Sequence, residues 1–95
     1  MQDSAFGTLL PLTQLAPREG VFELPNWPGM RVVRLQESQI RSGRYFYILL
    51  KGELLIDLPD GHYLHLQPTD AAQAEGTHTL TPIEEAVVLE WKPSY

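Results

Sequence analysis

The chain has no cysteine, which excludes a disulfide framework, a thiolate metal site and a cysteine nucleophile and leaves the redox compartment open. Cations are also scarce: seven Lys and Arg stand against twelve Asp and Glu, for a formal charge of -5. Such a chain repels a phosphate backbone unless its basic residues cluster. Arg31, Arg34, Arg41 and Arg44 are instead spread over two expected strands and a loop, with Glu37 between them. Nucleic acid is therefore not an expected partner. Long apolar runs are missing too. The opening stretch MQDSAFGTLLPLTQLAPREG has neither a basic region nor an apolar segment of signal-peptide or membrane-span length. No membrane contact and a soluble, cytoplasmic protein are expected. No Ser-His-Asp set, phosphate-cradling glycine loop or nucleophile elbow can be found.

What is present is a chain of 95 residues, the size of one domain with room for one core. Pro11, Pro17, Pro25 and Pro28 fall in the first thirty residues, where they break any helix longer than a turn or two. Residues 1–20 read as an extended arm and 21–95 as the folded domain. Within the latter, VFEL (21–24) is a candidate strand, and Asn26-Trp27-Pro28-Gly29 is a turn that lays Trp27 over the sheet. MRVVRL, RYFYILL, ELLIDL, HYLHLQ, THTLT and AVVLEW read as short strands. The breaks between them are a polar loop from Gln36 to Gly43, Lys51-Gly52, Pro59-Asp60-Gly61, Pro68-Thr69-Asp70 and Pro82-Ile83-Glu84-Glu85. AAQAEG, bounded by Pro68 and Gly76, reads as a loop with a small bridging strand.

Seven or eight short strands with connections too short for crossovers predict an all-β antiparallel sandwich or barrel. RYFYILL is apolar on both faces, as for a central strand covered twice. One cover is the interior. The other is expected to be a second copy of the chain, because Phe46, Ile48 and Leu50 would otherwise form an exposed apolar patch. A homodimer is the expected assembly.

The stretch YILLKGELLIDLPDGHYLHLQPTD resembles the middle of a cupin: a strand, a glycine turn with a following acidic residue, a second strand, a DG turn and a third strand. AEGTHT is similar to the second motif of that family, and the resemblance spans roughly residues 28–92. It implies a cupin-like antiparallel jelly-roll β-barrel. It also implies a divalent metal held by two histidines spaced H-x-H, a glutamate and a later histidine. Counting back from Gly52, the glutamate position falls on Tyr45 and the histidine positions on Gln39 and Arg41. His78 alone remains, one residue closer to Gly76 than the family pattern has it, which turns it outward and Thr79 inward unless a bulge restores the phase. No metal or other cofactor is expected.

The candidate ligand-binding residues are Arg41, Tyr45, Tyr47 and His78. Tyr45, Tyr47 and Leu49 share the inward face; the hydroxyls would orient a small organic molecule, and an arginine at the mouth would pair with its carboxylate or phosphate. The plainer alternative is that the tyrosines fill the core and the arginines are solvated at a sheet end. His62 and His65 cannot share a strand face at a spacing of three and are expected to be exposed. Glu84 and Glu85 read as a solvated turn, and Trp91, alternating with Val87 and Leu89, as packed in the core or against a partner. The reading is of a small-molecule-binding or accessory protein. Its rival is a metal-dependent cupin enzyme, a dioxygenase or isomerase, using His78 and unusual ligands.

Overall fold

A computed structural model of the chain describes residues 3–4, 6–16 and 20–93. Two long strands form its centre, β6 (Tyr45–Asp57) and β9 (Thr77–Trp91). They run antiparallel from Phe46↔Trp91 to Asp57↔Thr79, with register shifts around Lys51. Each end of each long strand carries a different neighbour. β4 (Met30–Leu35) pairs with the last residues of β9 and β5 (Gln39–Ser42) with its first. β8 (Ala71–Ala74) pairs with the start of β6 and β7 (Tyr63–Leu66) with its end. β3 (Gly20–Glu23) adds to β4. The result is two layers that share the central pair: β3-β4-β9-β6-β8 in one, β5-β9-β6-β7 in the other.

Alternation along each strand decides what fills the space between the layers. Val33, Leu35, Tyr47, Leu49, Leu54, Ile56, Leu66, Leu80 and Val88 form one buried cluster drawn from both. Each fully buried aliphatic side chain there contributes about 1.5–3 kcal/mol. The inward residues of β6 are odd-numbered before the bulge, Tyr45, Tyr47 and Leu49, and even-numbered after it, Leu54 and Ile56. Gly52 makes that change of phase. Its φ is +85°, and a Cβ there would collide with the Glu85 carbonyl oxygen of the facing strand, so only glycine fits where the two strands bend together.

The outer face of the first layer is covered in part by the one-turn helix α1 (Leu12–Leu15). Leu12 and Ala16 pack there on Val32 and Val87, and Arg34 donates to the carbonyls of Thr13 and Ala16. The preceding residues include a two-stranded ladder, β1 (Asp3–Ser4) with β2 (Gly7–Thr8). None of the helices is long and apolar enough to cross a membrane among the described residues.

Three expectations need correction. The hydrogen-bonded sheet is open, not a closed barrel, with β3 and β8 at the edges of one layer and β5 and β7 at those of the other. Lys51-Gly52 and Pro82–Glu85 are bends inside continuous strands, not turns between separate ones. The loop Gln36 to Gly43 contains β5, whose polar residues Gln39 and Arg41 point inward while Ile40 is 67% exposed. That inverted pattern hid the strand. Of the two places expected for Trp91, the core is excluded, since it lies in the outward phase with Val87 and Leu89 and is 40% exposed. The strand within AAQAEG, Ala71–Ala74, is where the sequence places it, and His62 and His65 are exposed.

Candidate functional site

Where β4, β6 and β9 end at one mouth of the sandwich, the inward positions turn from aliphatic to polar. In β4 the phase of Val33 and Leu35 continues to Arg31; in β9 that of Ala86 and Val88 continues to Glu90. Arg31 and Glu90 are cross-strand partners, and Tyr47 flanks Glu90 on its other side. From the opposite layer, Arg41 and His78 are paired across β5 and β9.

Glu90 is fully buried and holds both arginines. Arg31 donates from Nε to Oε1 at 2.7 Å, with Nη2 2.6 Å from the same oxygen in the ion pair, and Arg41 donates from Nε to Oε2 at 3.1 Å. Arg41 also donates to Gln39 Oε1 at 2.9 Å. A buried carboxylate is tolerated only when paired and hydrogen-bonded, and here two guanidiniums from different layers do so. Arg41 thus ties the layers together and is not solvated at a sheet end.

A second tie runs between Tyr47 and His78. His78 is 1% exposed and Tyr47 fully buried, and Tyr47 Oη lies 2.6 Å from His78 Nε2. His78 Nδ1 is 2.9 Å from the Gly76 carbonyl oxygen, which only accepts. Nδ1 therefore carries a proton, and in the neutral imidazole Nε2 accepts from the Tyr47 hydroxyl. Burial, and then the nearby Glu90 carboxylate, push the Tyr47 hydroxyl far above the usual phenol range, so it stays protonated. Tyr45 stacks on Tyr47 with ring centroids 5.7 Å apart, and His78 meets both edge-on. The expected outward turn of His78 is thus corrected. Its phase is that of Leu80, which is also buried, because pairing with β5 and β6 sets the strand and the spacing from Gly76 does not.

Of the four candidate residues, the structure gathers all at one end of the interior but leaves them unequal. Tyr47 and His78 are sealed and satisfied by each other. Tyr45 borders a cavity of about 640 Å³ outside them, lined also by Glu23, Trp27, Arg31 and Lys92. The sequence reading missed Arg31, Glu90 and Lys92. Parity would have found the first two, since each continues an alternating aliphatic run. Lys92 follows the last strand, and its ammonium lies 5.5 Å from the centre of the Tyr45 ring. Its backbone donates to the Gly29 carbonyl at 2.9 Å.

This architecture is found in solved structures. A cupin-2 domain protein from Shewanella frigidimarina superimposes with a TM-score of 0.70 at 13% identity, over 86% of this chain and 87% of that one. A cupin superfamily protein from Desulfitobacterium hafniense gives 0.66 at 20% identity, over 85% of each. The chain has a cupin fold. FeII HppE in complex with substrate is similar over a smaller part, with a TM-score of 0.56 at 17% identity, covering 66% of this chain and 45% of that one. No protein-family model matches the sequence, and no curated protein matches it either.

The cupin resemblance implies a divalent ion among residues 39, 41, 45 and 78, and the donors there do not fit one. Position 41 holds a guanidinium, a cation already bound to Glu90. Both nitrogens of His78 are engaged. Tyr45 offers a phenol where a carboxylate is needed, and among the described residues no three His, Asp or Glu side chains converge. The arrangement is suited to holding the two layers together and to presenting cationic and aromatic groups at the mouth.

Proposed function

We propose that this cupin is a metal-independent small-molecule-binding or accessory protein whose ligand sits at the mouth of the interior. The observation that carries the reading is the internally satisfied polar set. Arg31 and Arg41 both pair with Glu90 and Tyr47 pairs with His78, so two of the positions where the resemblance would put metal ligands, 41 and 78, are already engaged. The ligand would occupy the cavity bounded by Tyr45, Arg31, Lys92 and Trp27. Arg41, Tyr47 and His78 then act from behind, fixing Arg31 and Tyr45. The chain acts as a homodimer through the outer face of the first layer, where Phe46 and Ile48 are half-buried beside the exposed Trp91.

The rival reading, a metal-dependent enzyme like the iron-bound structural neighbour, is favoured only by the inward placement of His78. Metal analysis of the purified protein, followed by titration with Zn, Mn, Fe and Ni, separates the two. Weak or no uptake is expected. Stoichiometric uptake abolished by His78→Ala would overturn the proposal. Thermal-shift screening with small acids, amides and sugars tests ligand binding itself, since a ligand specific for the folded state must raise the melting temperature.

A further inference from the structure

The charges around the mouth cavity are unequally matched. Glu90 is the only carboxylate among the described residues that pairs with Arg31 or Arg41, and both bind it. Arg31 spends Nε and Nη2 on a single oxygen, and among the described residues its Nη1 makes no hydrogen bond. Lys92, with no carboxylate within ion-pair distance among those residues, rests against the Tyr45 ring. Arg31, Lys92 and Tyr45 all line the same cavity. The remaining carboxylate on its rim is Glu23, the cross-strand partner of Arg31, which makes no ion pair with it among the described residues. Between these groups the lining is apolar, with Leu24, Trp27, Pro28 and Met30, and Trp27 is 60% exposed.

Resting on the proposed small-molecule reading, we infer that the ligand is an organic carboxylate on an apolar body. Its carboxylate would be held between the free edge of Arg31 and Lys92, and its body would lie against Trp27. A guanidinium edge matches the two oxygens of a carboxylate, and a flexible ammonium adds a point charge beside it. Inorganic phosphate would use the cations but leave the apolar lining without a partner. Glu90 has a definite part: it holds Arg31 by one side, so the other faces the cavity in a fixed pose, and less side-chain entropy is lost on binding. Glu23 opposes an anion, so it selects against ligands of high negative charge.

The test uses the full chain and matched pairs of probes, 3-phenylpropanoate with 3-phenylpropanamide and hexanoate with hexanamide, together with inorganic phosphate, by calorimetry and thermal shift. The carboxylates are expected to bind and the amides and phosphate to bind at least about tenfold more weakly, the factor for losing one charge-assisted hydrogen bond. Lys92→Gln, a surface change that should fold normally, is expected to weaken carboxylate binding about tenfold or more. Glu23→Gln is expected to tighten it. Amides binding as well as acids would overturn this inference and leave the small-molecule reading intact. Phosphate binding as well as the acids would overturn the apolar-body assignment. So would a Lys92→Gln protein with unchanged affinity overturn the anion site. Absence of any stabilisation by acids, amides or sugars would overturn both readings.

Discussion

Replacing Glu90 with glutamine keeps shape and volume but removes the charge that two guanidiniums share. Glu90 and Arg41 are shielded, with side-chain exposures of 0% and 11%, whereas Arg31 at 30% can regain water. Breaking a buried ion pair by deleting one partner costs about 3–5 kcal/mol, and the partial exposure of Arg31 places this case near the lower end, about 3 kcal/mol. A domain of this size has roughly 5–15 kcal/mol of stability in all, so the loss is severe but leaves a folded protein to measure. At about 4–8 °C per kcal/mol, the melting temperature should fall by roughly 12–24 °C. Urea denaturation should show a lower midpoint with an unchanged slope, the sign of altered stability without altered surface exposure. The triple substitution Arg31→Met, Arg41→Leu, Glu90→Met should recover most of the loss, because a well-packed apolar set often replaces buried charges at no cost. A Glu90→Gln protein within about 1 kcal/mol of the parent would refute the reasoning, since it would mean that water reaches these groups.

Tyr47→Phe should cost about 1–3 kcal/mol, because His78 Nε2 would be left as a buried acceptor with no donor; chemical denaturation measures it. The same hydroxyl gives a pH dependence. Its folded-state pKa lies above the ordinary 10.0, so the unfolded chain loses the proton first, and this contribution is full below pH 10 and declines as pH rises from there toward the native value. The decline is about 1.4 kcal/mol per pH unit, and the Tyr47→Phe protein should lack it when the two are compared across pH 9 to 11. Gly52→Ala should cost at least about 1–2 kcal/mol from its left-handed backbone alone, with the collision against Glu85 adding to it, read as a fall in melting temperature. Light scattering should give twice the 10.8 kDa chain mass, and Phe46→Glu should return it to the single-chain value; a monomeric parent would remove the dimer.

Much of the fold was legible because it rests on punctuation and alternation. Strand positions and the inward phase of Tyr45, Tyr47 and Leu49 follow from those alone. Two of the errors share one physical source. A glycine or proline was read as the end of a strand, but in a sheet that bends over itself such residues also sit inside strands, as Gly52 and Pro82 do. A bulge then resets the phase, so counting from a glycine misplaces every side chain beyond it. His78 reads as outward only by its spacing from Gly76, which lies before β9 and does not set its phase, whereas Leu80 two residues on carries the correct one. Glu90 was missed because a carboxylate at the end of an aliphatic run looks like a strand leaving the core. Its partners come from β4 and β5, and no local pattern connects them.

The two ties across the interior also mean that no single substitution would give the mouth a metal-binding set. Histidine at position 41 would supply an imidazole but release Glu90 from the arginine that reaches it from the opposite layer. Arg31 would then be its only cationic partner among those described. A carboxylate at Tyr45 would remove the buried ring that stacks on Tyr47 and against which Lys92 rests. His78 would still have to give up the Tyr47 hydroxyl before Nε2 could serve as a ligand. Each step toward a metal centre therefore breaks a buried contact before any ion is present to compensate for it. The cation built into this mouth is a guanidinium fixed by covalent attachment to its own strand, and it needs no free ion to balance Glu90.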